Sequence, residues 1–164
     1  MYLTGEFQRN LDSKMRLTLP AELRDEFANE YVAEHGLEAT QEVKDSLKVK
    51  VCLVPMKDAV YGFSPSAHRE WLESLFEGGY NAHNKKHVVL RRMITAKTVT
   101  LDIDKAGRVS LGKMPEADLA KYPLEREVSV VGNVDHFEIW NADKYAETMA
   151  EFDDDMLEDL IFGM

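Results

Sequence analysis

The chain has 164 residues, enough for one ordinary domain or two small ones of about 80 residues each, and its 45% hydrophobic and 30% charged residues are globular composition rather than that of a disordered chain. No apolar run approaches the ~18 residues of a membrane span and no secretory-type apolar stretch opens the chain, so a cytoplasmic protein is expected; the single cysteine, Cys52, excludes an intrachain disulfide and a cysteine-based metal site. The net charge of -10 weighs against a polyanionic partner only as a sum, because phosphate binding depends on local positive potential.

The first patterned segment is F-Q-R-N-L-D-S-K-M-R-L-T-L-P, residues 7–20, in which Asp12 stands four residues ahead of Arg16. Alone, it fits one helical turn with an i,i+4 ion pair as readily as a turn between strands. From Asp25 to Lys48 there are seven acids against two lysines, and residues 28–46 are expected to be partly helical. K-V-K-V-C-L-V-P and A-V-Y-G-F then read as a strand pair, with Cys52 among Val51, Leu53 and Val54 a buried small hydrophobe rather than a reactive thiol. Ser64-Pro65 supplies an N-cap and a first-turn proline for a helix whose apolar face is Trp71, Leu72, Leu75 and Phe76. E-G-G-Y-N-A-H-N-K-K is a linker, and H-V-V-L-R-R-M after it starts a helix or a strand.

From Lys85 to Lys113 the balance reverses, with eight Lys or Arg against Asp102 and Asp104. Within it, V-T-L-D-I-D-K-A-G-R-V-S-L alternates with period 2 on both sides of Asp104-Lys105-Ala106-Gly107. Gly107 suits a left-handed position in the turn, and Asp104 suits accepting backbone N–H groups that follow it. Strand, turn, strand is therefore the reading of this second Asp-x-x-x-Arg. Another strand pair follows, R-E-V-S-V-V-G and H-F-E-I-W-N, and Asn141 caps a helix with Tyr145, Met149 and Phe152 inward. From Glu151 to the end there are six acids and no base; the amphipathic end of this segment either packs on a partner, the favoured reading, or frays.

The two motifs lie 92 positions apart and their strand pairs 77 apart, placing Asp58 opposite Asp135 and Phe63 opposite Trp140. The chain thus contains a tandem duplication, with about 15 extra residues in the first copy within 28–46. The halves are expected at 1–80 and 96–152, with a linker and basic segment at 81–95 and an acidic tail at 153–164. One Asp-x-x-x-Arg would be an exposed hairpin salt bridge worth well under ~1 kcal/mol. Two in register favour a functional role.

G-E-F-x-x-x-L-D-x-K-x-R-L-T-L-P-A near the start, with L-D-x-D-K-x-G-R-V-x-L and E-V-x-V-V-G-x-x-D-H-F-E-I-W, resembles the MraZ family over roughly residues 1–27 and 47–152. These are bacterial transcriptional regulators of the division and cell-wall gene cluster, built from two SpoVT-AbrB (AbrB-like) halves. The resemblance implies a mixed α+β, mainly β fold: a tandem AbrB-like swapped-hairpin β-barrel with short flanking helices, assembled as a homo-oligomeric ring. It also implies nucleoid association and sequence-specific binding of double-stranded DNA at short direct repeats in the promoter. Carried over by position, the motif residues are Asp12, Lys14 and Arg16 in the first copy and Asp104, Lys105 and Arg108 in the second. The arginines would reach guanine edges or phosphates, the lysines phosphates, and Asp12, Asp104 and Gly107 would orient the loops. Arg9 and Arg24 are further DNA-binding candidates by proximity. Met15 stands where the family commonly has glycine, a strain of roughly 1 kcal/mol at positive φ that predicts another first turn or a less well-ordered one. Gly112 stands where the first copy has Pro20.

Lys85, Lys86, Arg91 and Arg92 read as a solvated face. His35, His68, His83, His87 and His136 show no metal-ligand spacing, and no nucleophile triad, P-loop or dinucleotide-binding glycine pattern appears, so no metal, cofactor, small-molecule substrate or enzymatic activity is expected. The competing reading is an oligomeric scaffold that binds a basic protein through the acidic insertion and tail.

Overall fold

Both Asp-x-x-x-Arg stretches lie between strands in the computed structural model, which describes residues 1–121, 124 and 126–163. The first follows β1 (Glu6–Asn10) and leads into β2 (Arg16–Thr18); the second follows β5 (Val99–Asp102) and leads into β6 (Arg108–Ser110). Between them come α1 (Ala21–Glu34), α2 (Gln41–Ser46), the strand pair β3 (Lys50–Pro55) and β4 (Val60–Phe63), then α3 (Pro65–Ser74) and α4 (Lys85–Lys97). After β6 come a short 3-10 turn, α5 (Glu116–Lys121), the strand pair β7 (Glu127–Gly132) and β8 (Phe137–Asn141), α6 (Ala142–Met149) and α7 (Asp154–Phe162).

The strands pair antiparallel throughout, in a six-stranded sheet of order β1-β7-β8-β4-β3-β5 and a two-stranded ribbon, β2-β6. The order reads the same from either end once the copies are exchanged. At its centre Tyr61 pairs with Glu138, residues 77 positions apart, and at the centre of the ribbon Leu17 pairs with Val109, 92 apart. A pseudo-twofold therefore runs through both. The strand leading into each motif pairs with the other copy's strands, β1 with β7 and β5 with β3. The expected closed barrel is not found among the described residues: β1 and β5 remain edges, and the three-residue ribbon strands are too short to join them.

Ribbon and sheet share one core. Leu17 and Val109 under the ribbon pack with Leu53, Val60, Val128 and Ile139 of the sheet and with Leu23 and Phe27 of α1, all buried. Gly62 in β4 lets strands close up here, since a Cβ would stand 2.2 Å from the Phe137 ring. The segment 28–46 is helical over the second part of α1, which buries Ala28 and Val32, and over α2, whose Thr40 cap accepts from the Val43 N–H.

Helix starts fall where capping chemistry puts them. Ser64 accepts from Ala67 N–H, Asn141 from Lys144 N–H, and Asn84 from Lys86 and His87 N–H, so H-V-V-L-R-R-M is helical. Trp71 in α3 stacks on Phe63 at 4.8 Å between ring centroids and Phe76, just past the helix, is buried, but Leu75 at its C-cap faces solvent. Of the expected inward face only Tyr145 in α6 is half-buried, edge-on to Trp140; Met149 and, past the helix end, Phe152 are 46% and 51% exposed. α6 touches β7 and β8 yet buries no residue, because its eight residues leave the sheet within about two turns.

Candidate nucleic-acid interface

The two motif loops are the same structure made twice. In the first, Asp12 Oδ1 accepts the backbone N–H groups of Lys14 and Arg16 at 2.8 and 2.9 Å, while Oδ2 accepts Arg16 Nε at 2.6 Å. In the second, Asp104 Oδ1 accepts Ala106 and Arg108 N–H at 2.9 and 2.8 Å, and Oδ2 accepts Arg108 Nε at 2.8 Å. Each turn is closed by the aspartate's N–H donating to the arginine carbonyl, Asp12 to Arg16 at 3.1 Å and Asp104 to Arg108 at 3.0 Å. The Arg16 backbone N–H holds the Asp12 carboxyl below the usual carboxylate range, helped by the Arg16 side chain. Burial pushes the Asp104 carboxyl up, but the hydrogen bonds from Arg108 outweigh it and the net shift is downward. Both aspartates thus stay ionised and keep their arginines oriented.

The turn requires a left-handed residue before the arginine. Gly107 takes it at φ 79°, and Met15 takes the same place at φ 58°. The altered first turn expected from Met15 does not occur: the hydrogen bonds match those of the second copy, and the cost appears as backbone strain instead.

The ribbon brings the loops together. Arg16 pairs with Ser110 and Thr18 with Arg108, and the ladder continues through Leu19 N–H to Gly107 carbonyl and Leu111 N–H to Met15 carbonyl, each 2.9 Å. Since side chains alternate, Leu17 and Val109 point into the core, while Arg16, Thr18, Arg108 and Ser110 share the outer face. The arginines are diagonal cross-strand neighbours, with Cα atoms about 7–8 Å apart by the geometry of such pairs. Each guanidinium is tethered through Nε, and among the described residues no acceptor is seated against the terminal Nη groups.

The other sequence candidates divide. Lys14 and Lys105 are exposed on the loops. Arg24 on α1 donates from Nη2 to the Lys105 carbonyl at 3.0 Å and lies along Gly107, where an added Cβ would stand 3.1 Å from its Cδ; it braces the second loop. Arg9 lies in β1 rather than in the ribbon; it donates to the Gln8 carbonyl and stands over the Phe7 ring. Arg126 was missed. Its carbonyl accepts Leu11 N–H at 2.7 Å, and with Leu11, Asp12, Ser13 and Met15 it lines a shallow cleft of about 560 Å³ beside the first loop. It stands 114 positions from Asp12, and only the pairing of β1 with β7 brings it near.

A buried polar cluster lies at the pseudo-twofold of the large sheet. His136 bridges Asp135 and Glu138, at 2.6 and 3.0 Å, and stacks on Tyr61 and Phe63. Glu138 also accepts from Asn133 Nδ2 and Trp140 Nε1, both at 2.9 Å. Burial works against both charges, yet their mutual hydrogen bonds win, raising the imidazole and lowering the Glu138 carboxyl. Among the described residues no group of three His, Cys, Asp or Glu is disposed to hold a metal ion, and no helix is long and apolar enough to cross a membrane.

No family model matches the chain. It is 32% identical to the transcriptional regulator MraZ of Pediococcus pentosaceus, over 98% of each chain. It is 31% identical to that of Corynebacterium jeikeium, over 92% of this chain and 89% of the relative, and 28% identical to that of Mycoplasmopsis pulmonis, over 100% and 95%. Similarity at this level over the full length leaves one assignment, and the chain belongs to the MraZ family.

Proposed function

We propose that this chain is a transcriptional regulator that binds double-stranded DNA through the outer face of the β2-β6 ribbon. The observation carrying the reading is the pair of arginines, each fixed by an aspartate through Nε, on the solvent face of one two-stranded ribbon. A two-stranded ribbon fits the B-DNA major groove, and an arginine held by Nε keeps its Nη fork for guanine O6 and N7 or for a phosphate. Lys14, Lys105 and Arg126 would add point charges toward the backbone. The relatives named transcriptional regulators support the same reading. The target is the promoter of the division and cell-wall cluster, at short direct repeats read by a homo-oligomeric ring whose several ribbons multiply a weak single contact. The site of action is the cytoplasmic nucleoid.

The reading is tested by fluorescence anisotropy on the DNA upstream of its own gene. Each bidentate arginine contact is worth about 1–3 kcal/mol, so Arg16→Ala or Arg108→Ala should weaken binding roughly 10- to 100-fold while the oligomer mass stays constant. Unchanged affinity in both variants refutes it.

A further inference from the structure

Two apolar surfaces of opposite charge lie uncovered on this chain. The first is a groove of about 530 Å³ between α4 and the end of β3, lined by Leu90, Met93, Ile94 and Lys97 on one side and by Val54 to Lys57 on the other. Leu90, Met93, Ile94 and Lys97 recur at i, i+3, i+4 and i+7, forming one stripe about 10 Å long. The α4 helix carries five Lys or Arg and no acid, and Met93 on its groove face is 52% exposed.

The second surface is α7. Met156, Leu157, Leu160 and Ile161 form one face about 7.5 Å long, short enough to lie within the length of the stripe. Asp154, Asp155, Glu158 and Asp159 flank it, Asp153 caps it, and the helix has no base. None of its residues is buried, and Leu160 is 61% exposed. An apolar face of this size on a helix that buries none of its residues marks an interaction site. α6, the helix before it, touches β7 and β8, whereas the groove opens at β3, toward the other edge of the sheet.

We propose that α7 of one copy seats its apolar face in the α4 groove of a second copy, its acids meeting the basic residues that flank the groove. Helix and groove are different surfaces of one chain, so the contact is heterologous and propagates from copy to copy until it closes into a ring. The assignment rests on the oligomer part of the proposed function, not on what the loops bind. Charge complementarity selects the partner and speeds encounter, and the apolar faces provide the holding force.

The test is the solution mass of the full chain by light scattering on a sizing column, with Leu160→Asp and Met93→Asp alongside. Both residues are largely exposed, so circular dichroism and melting temperature should match the parent. The parent is expected as an assembly of several copies and each variant as a monomer. An equimolar mixture of the two variants should give a dimer, because one retains the groove and the other the helix. Variants that assemble like the parent, or a mixture that stays monomeric, overturn the seat while leaving the oligomer reading standing. A parent that is monomeric at every concentration overturns both, and DNA binding by that monomer would still leave the ribbon's role intact.

Discussion

Asp12 and Asp104 each join two backbone N–H groups and one arginine Nε through a single carboxylate, so loop shape and arginine aim are set together. The residue before the arginine bears the remaining constraint, differently in the two copies. Met15→Gly releases roughly 1 kcal/mol of left-handed strain but adds comparable unfolded-chain entropy, so urea unfolding should shift by less than about 0.5 kcal/mol. Gly107→Ala introduces the strain and meets Arg24 Cδ at 3.1 Å, and should lose about 1–2 kcal/mol. Equal losses in the two variants would contradict the equivalence of the turns. The His136–Glu138 cluster adds a pH dependence of known sign. His136 is raised, so its contribution is complete below its ordinary pKa near 6.5 and fades as pH rises through the higher folded value. Glu138 is lowered, so its contribution is present above the ordinary value near 4.5 and fades as pH falls through the lower folded one. Melting temperature against pH should peak between those limits. His136→Ala, which strands a buried carboxylate, should cost about 3 kcal/mol and abolish the alkaline slope.

At the scale of elements, the ribbon and the large sheet meet on their pseudo-twofolds, and Leu17 is fully buried beneath the ribbon opposite Val109. Leu17→Ala should cost about 2–5 kcal/mol in urea unfolding and loosen both loops at once, with faster amide exchange at Lys14 and Ala106. Loosening of the first loop alone would show that the copies do not share one support. The turns were legible in the sequence because their information is local: period-2 alternation, an aspartate at the start and Gly107 at the left-handed site. Capping residues located α3 and α6 for the same reason. Partners were not legible, since nothing in Phe7–Asn10 says that β1 pairs with β7 across more than 110 positions. That long-range pairing also brought Arg126 to the first loop. The inward face assigned to α6 failed because an apolar stripe shows that a partner is needed without showing where the sheet ends.

Across the whole molecule, a chain of net charge -10 can present a basic surface because its acids and bases are segregated. Acids dominate α1, α2 and α7, whereas α4 and the second loop are basic. The pairing of β2 with β6 then places one arginine from each copy on a common outward face. This arrangement makes salt the sharpest probe of the ribbon's role, because each phosphate contact releases counterions and steepens the dependence of affinity on salt. The decisive measurement is the affinity of the parent and of Arg16→Ala/Arg108→Ala for upstream DNA, followed by anisotropy across a range of salt concentrations. The ribbon reading predicts that the double variant keeps the parent's assembly mass, binds at least about 100-fold more weakly and shows a shallower salt slope. Parent-like affinity and slope in the double variant would contradict it.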